Sequence, residues 1–318
     1  MSLLKWANKM FLDYLSSLPA ALSLGLIWGI MAIGVFITYK VLDIPDLTVD
    51  GSFATGGIVC ALIITNGGHF LVGILVGFAA GLICGLITGL LHTFLGIPPI
   101  LAGILTQLSC YSINLKLAGG KSNIGVSGRV FNVLFSQLNV TDTLWKIGII
   151  VLVIIGILYI LFGTELGASI RATGNNKDMS RAQGINVKFN VVLGLMISNG
   201  IVALAGALLT QYQGFADITM GTGAIVTGLC AVVIGGAIVS KISPNFFVRL
   251  LGVAIGSIIY YFIYQSVVFI GIDTTLLKLL AALVVAIFLG FPYLRKKYSI
   301  RINKFLKNRK LSTGGNGK

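Results

Sequence analysis

The sequence predicts an all-α polytopic membrane protein with about nine transmembrane helices, within a range of eight to ten, some of them broken or half helices. Three observations carry this. Of the 318 residues, 56% are hydrophobic and only 10% are charged, against about a quarter charged in a soluble domain. The mean hydropathy is +0.98. Apolar runs recur near the length of about 20 residues that a helix needs to cross a hydrocarbon core. They do not alternate in polarity as the roughly ten-residue strands of a barrel do, and in lipid a helix satisfies its own backbone.

Nine runs are read in order: Pro19 to Thr38, a Gly-rich one from Gly51 to Thr65, Phe70 to Leu91, Ile97 to Ile113, Trp145 to Phe162, Val191 to Leu209, Gly221 to Val239, Phe247 to Ile270, and Thr275 to Phe291. Together they make a single membrane domain over residues 1–293. The opening MSLLKWANKMFLDYLSSLP lacks an A-x-A cleavage pattern, so the first run is expected to be retained. Ahead of it, Lys5, Trp6, Lys9, Met10 and Phe11 suit either an interfacial amphipathic helix or a frayed end. The four cysteines, Cys60, Cys84, Cys110 and Cys230, all lie inside apolar runs without C-x-x-C spacing, so they read as small core residues. His69 and His92 stand alone at helix ends, which gives a metal site no support.

The formal charge of +14 is uneven. The tail, residues 294–318, contains RKKYSIRINKFLKNRK with no acid, and the positive-inside rule makes it cytoplasmic. Because it follows a span directly, topology and anionic lipid explain it better than nucleic acid does. Counting back places Lys241–Arg249 and the polar stretch around Arg171 inside. QYQGFADIT and the segment 115–143 fall outside, as does the N-terminus on a count of nine.

LAGGKSNIG fails as a phosphate loop, because Leu115 stands where the first Gly is required. Nothing resembles a Ser/His/Asp or Cys/His set, with only two histidines to supply one, so no catalytic residue is assigned. LDIPDLTVDGSFATGG, Leu42 to Gly57, places three aspartates against an apolar run. They need an interface or a wet cavity, which allows two readings: a broken helix beside a pathway, or a turn in which Asp50 caps the next helix. Asp50, Ser52, Phe53, Gln107 and Asn199 are the candidate pathway residues. For Gln107 and Asn199, interhelical hydrogen bonding is the other reading.

RATGNNKDMSRAQGINV, Arg171 to Val187, encodes a short bounded helix: Asn175 and Asn176 are good N-caps and Gly184 a natural C′ residue. A helix this short is far below the length of about 12 residues at which isolated helices become marginal, so it needs something to dock on. Met179 and Ala182, at i and i+3, form a small apolar knob between Lys177 and Arg181. A helix lying among headgroups is the alternative.

GTELGASIRATGNNKDMSRAQGINV, followed by SNGIVALAGALLTQ, resembles the coupling segment and next helix in permeases of the branched-chain amino-acid and ribose ABC importer family. AVVIGGA (Ala231 to Ala237) and IPPILAGILTQ are similar to further motifs of that family, and IPDLTVDGSFATGG looks like its tryptophan- or tyrosine-type branch. The resemblance implies a type II-like permease fold in a bacterial plasma membrane and a second copy of the permease beside it. It also implies two cytoplasmic ATPase subunits, which bind the ATP and Mg, since the chain itself holds no cofactor. An extracellular substrate-binding lipoprotein delivers a small solute, an aromatic amino acid being favoured. Residues 164–189 become the coupling loop, with Gly174, Asn176, Lys177, Met179, Arg181, Ala182 and Gly184 as its contacts. Lys121 and Arg129, basic residues on the outside, are docking candidates for the binding protein, or simply part of a solvated loop. The rival is an ion-coupled secondary transporter, which would need intramembrane ionisable groups; beyond Asp43, Asp46 and Asp50 the spans offer little except Lys278.

Overall fold

Apolar runs become helices because no other backbone arrangement satisfies itself in lipid, and the computed structural model follows that rule. The order is α1 (Ser2–Phe36), a π-helical turn (Ile37–Val41), α2 (Thr48–Thr65), α3 (Phe70–Thr93), α4 (Pro99–Leu117), β1 (Asn123–Gly125), α5 (Val140–Gly163), α6 (Glu165–Asn175), α7 (Lys177–Ala182), α8 (Val187–Gln213), β2 (Phe215–Asp217), α9 (Ala224–Val239) and α10 (Phe246–Phe269). The structure describes residues 2–128, 131, 133–135, 139–239 and 245–269, with isolated positions as far as residue 290. Among them, seven helices are long and apolar enough to cross a membrane, and α9, at 16 residues, is a shorter apolar one. Eight of the nine expected runs are thus helical. Of the ninth only scattered positions are described, and the tail lies outside the described residues. The elements named here belong to one unit, Met1–Ile272; Asp273–Lys318 forms a second.

Local chemistry sets several boundaries. Pro98 and Pro99 open α4 as N-cap and first residue, where a missing N–H costs nothing. α1 runs unbroken through Pro19, so the N-terminal residues continue the first span instead of forming a separate helix. α9 begins at Ala224, later than the apolar composition suggests, because Gly223 takes a left-handed backbone (φ 84°) just before it. α6 precedes α7 and is capped by Thr164, whose Oγ accepts from the Gly167 N–H.

The interior is built on small residues, which in a membrane let backbones approach. In α3 five glycines, Gly73, Gly77, Gly81, Gly85 and Gly89, recur at every fourth position and line one face. A methyl on Gly81 would collide with Ala203 and the Asn199 carbonyl, and one on Gly85 with the Leu195 carbonyl. On Gly89 it would lie 2.9 Å from Val192 Cα. α3 therefore packs antiparallel to α8. α2 lies parallel to α8, with Gly56 against Ala203 and Gly206 against Phe53. α1, α2 and α8 are mostly buried, whereas α3, α4 and α5 turn Leu75, Ile83, Leu108 and Ile149 outward, as lipid-facing helices do.

β1 and β2 pair antiparallel, with Ile124 opposite Ala216. The pairing brings the stretches around β1 and after α8 to one end of the bundle, with α6 and α7 at the other end of α8. All four cysteines are free and buried, and Cys84 and Cys110 hold their sulfurs 3.3 Å apart between α3 and α4.

Candidate functional site

The chain is interrupted twice at mid-depth. α2 does not start at the end of the bundle: its first turn lies beside Asn199, near the midpoint of the 27-residue α8. Leading into it, residues 42–47 are non-helical, and Asp43 takes a positive φ of 53°, which Asp tolerates better than most residues. Asp46 lies just ahead of the N-cap residue Leu47, its Oδ1 accepting from the Thr48 N–H at 2.9 Å. Its Oδ2 accepts from Asn199 Nδ2 at 2.7 Å, and Asn199 Oδ1 accepts from Ser52 Oγ at 2.7 Å. Asp46 is 2% exposed, Ser52 and Asn199 0%. Groups so deeply buried must be hydrogen-bonded to be tolerated. Thr48, Thr88 and Thr106 extend the polar seam through hydroxyl contacts of 2.7 and 2.8 Å across α2, α3 and α4.

The second interruption follows β2. Residues 218–223 descend along α2: Met220 reaches Gly57, and Gly221 abuts the Asp50 carbonyl so closely that a methyl there would clash. The Asp50 carboxylate closes this return, accepting from the Gly223 N–H at 2.8 Å and the Ile225 N–H at 2.9 Å. Asp50 thus does cap a helix, but that helix is α9, far away in sequence, and not its own. Negative charge at a helix N-terminus is favourable. Thr219, Thr222, Gly223 and Val226 are exposed here and Asp50 is half-buried. Irregular backbone does not face lipid within the hydrocarbon; it is tolerated where it lines a cavity or meets protein.

The other expected pathway residues surround this break. Gln107 is half-buried on α4, where its Cα lies 2.9 Å from where a methyl on Gly51 would stand. Phe53 is fully buried against Trp28, ring centroids 5.0 Å apart, and Trp28 stacks in turn on Tyr261 at 5.8 Å. Sequence reading singles out neither Trp28 nor Tyr261, nor the Asp46–Asn199 bond. The available pointers are an Asn and an Asp each isolated in an apolar setting.

At the other end of α8, α7 is the short bounded helix that the sequence encodes. Asn176 Oδ1 accepts from the Asp178 and Met179 N–H groups, both at 3.0 Å, and Gly184 (φ 79°) turns the chain beyond it. Lys177, Met179, Arg181 and Ala182 are exposed, Met179 to 57%, while Ser180 is the buried anchor. Gly174 packs against the Val41 carbonyl at the end of the π-helical turn, which joins the loop to α1. Lys121 is exposed just before β1; Arg129 lies outside the described residues. Among the described residues no three His, Cys, Asp or Glu side chains cluster as metal ligands.

Broken elements with satisfied polar groups at mid-depth, enclosed by seven long apolar helices, define a multi-pass membrane permease. The family profile described as "Branched-chain amino acid transport system / permease component" matches residues 17–293. The chain is 37% identical over 276 residues to the tyrosine transport system permease protein of Clostridioides difficile, covering 87% of this chain and 91% of that protein. An uncharacterized protein of Rickettsia prowazekii, RP368, is also 37% identical over 276 residues, covering 86% and 96%. The fructose import permease protein FruF of Bifidobacterium longum is 26% identical over 248 residues, covering 76% and 68%. No solved structure matches. The chain belongs to the branched-chain amino-acid transport system permease family, and is the permease component of an ABC-type importer.

Proposed function

We propose that the chain forms the translocation pathway for an amino acid, with an aromatic one favoured, and that the mid-depth break is its wall. The carrying observation is the irregular backbone at Thr219–Gly223, exposed at Thr219, Thr222 and Gly223 and tied to α2 by Asp50. Such backbone needs water or protein beside it, and a pathway between two copies of the permease supplies both. Asp50 and Gln107 stand at the wall; Ser52, Phe53 and Asn199 lie immediately behind it and hold its shape. The substrate class rests on the tyrosine-system relative. An ion-coupled mechanism has no comparable support, since the family is that of ABC-type importers.

In this reading α7 docks on a cytoplasmic ATPase, and Gly174 passes its movement to α1 through Val41. The tail is then cytoplasmic, and a binding protein docks near Lys121 and Arg129 at the opposite face. The test is uptake by the permease reconstituted with its ATPase and loaded binding protein. Tyrosine or tryptophan should stimulate ATP hydrolysis. Stimulation by a sugar alone sinks the substrate assignment but leaves the architecture. Asp50→Asn turns an acceptor into an N–H donor facing the Gly223 and Ile225 N–H groups; it should insert normally yet lose most uptake. Wild-type uptake in that variant removes the pathway assignment.

A further inference from the structure

A cleft of about 510 Å³ opens where α5 ends, between α6 and the first turn of α10. Tyr159, Ile160, Phe162, Thr164, Arg171 and Phe246 line it. Its floor is aromatic: the Phe162 and Phe246 ring centroids are 4.9 Å apart. Arg171 stands over Phe246 with its Cζ 5.9 Å from the ring centroid, a cation–π contact that orients the guanidinium. The ion pairs among the described residues are Lys146–Asp142 and Arg181–Asp178, so Arg171 is not committed to a carboxylate. Among the described residues no acid lines the cleft.

Two features decide what such a cleft takes. The guanidinium is a planar fork that matches phosphate oxygens two at a time. Beyond it the wall is apolar and runs on as a stripe along α5, where Ile160, Ile157, Val153 and Ile149 share one helical face and are each more than half exposed. A free phosphate has no use for that stripe; an acyl chain does. The cleft lies at the ends of two spans, Val140–Gly163 and Phe246–Phe269, which is headgroup depth, and Tyr159 suits that interface. We infer that this cleft binds an anionic phospholipid, its phosphate on Arg171 and one chain along the α5 stripe.

The inference rests on the reading above only in taking this end as cytoplasmic, the side where anionic lipid is enriched. A lipid there joins α6 to α10 and so braces the segment that leads into α7.

The test uses the full-length chain alone in detergent. Retained lipid is read by native mass spectrometry and affinity by titration with dioctanoyl phosphatidylglycerol, with dioctanoyl phosphatidylcholine and inorganic phosphate in parallel. Phosphatidylglycerol should bind in preference and raise the melting temperature, with the other two doing neither. Arg171→Gln, a change at an exposed position, should weaken phosphatidylglycerol binding about tenfold, the worth of a charged hydrogen-bonding group, and Arg171→Lys should restore part of it. Equal binding of phosphatidylcholine by the wild type overturns the proposal without any variant, as does an undiminished affinity in Arg171→Gln. Protection by inorganic phosphate alone makes this a soluble-anion site and overturns the lipid. Because the ATPase and the transported solute are absent from the binding measurement, a wrong substrate assignment leaves its result untouched.

Discussion

Asn199 is the residue on which the first interruption depends. Its amide donates to Asp46 on the non-helical entry to α2 and accepts from Ser52 further along that helix. Truncation to Ala leaves two buried groups without partners, each costing about 1–3 kcal/mol. Ser52→Ala keeps the Asn199–Asp46 bond and leaves one buried acceptor, Asn199 Oδ1, without its donor, so its cost should be about 1 kcal/mol, the low end of that range. Melting curves of the detergent-solubilised protein should therefore rank Asn199→Ala well below Ser52→Ala, and Ser52→Ala slightly below wild type. Equal melting temperatures for the two variants would show that Asp46 finds another partner.

At the scale of elements, α7 is held at both ends and bare in the middle. Asn176 fixes its start, Gly184 its exit, and Ser180 anchors it while Met179 and Ala182 face outward. An exposed helix of six residues has little reason to be so well capped unless something is meant to lie against it. Ala182→Asp introduces a carboxylate that an apolar contact would bury unpaired, at a cost of several kcal/mol. Gly184→Val forces a β-branched residue into the left-handed region. Both should leave membrane insertion unchanged and strip the ATPase from the purified permease, with uptake lost in proportion. Copurification and uptake at wild-type levels in both would reduce α7 to a surface helix.

For the molecule as a whole, what the sequence reveals follows from the range of each force. Exclusion from water acts on each residue separately, so the long apolar helices are legible at once. α6 is not, because ELGASIRATGN mixes small, polar and charged residues, and its packing against α8 through Ser169, Thr173 and Asn190 has no local signature. Proline and glycine mark the two breaks, but not their depth: the bonds that fix it join Asp46 to Asn199 and Asp50 to Ile225, 153 and 175 residues apart in sequence. The β1–β2 pairing is likewise long-range. It carries Lys121 to the end of the bundle opposite α7, and this gives the docking reading a whole-molecule test. Lys121→Glu combined with Arg129→Glu should slow association of the binding protein and flatten its salt dependence. Unchanged affinity and salt slope would remove the idea.

The glycine face of α3 also constrains how this protein can drift. FLVGILVGFAAGLICGLITGLLHT carries the spacing openly, yet its consequence shows only against α8, where carbonyls and Ala203 already fill the space a side chain would take. Overpacking a close contact costs about 1–3 kcal/mol and often more against backbone. A saturation library across α3, scored by transport, should therefore tolerate almost any apolar residue at Leu75, Ile83 and Ile87, which face outward. It should reject even alanine at Gly81 and Gly85. The profile along the helix would then oscillate with a period of about four residues, and a flat profile would mean that α3 and α8 can part without loss. On this seam the permitted sequence space is narrowest at the residues that have no side chain to vary.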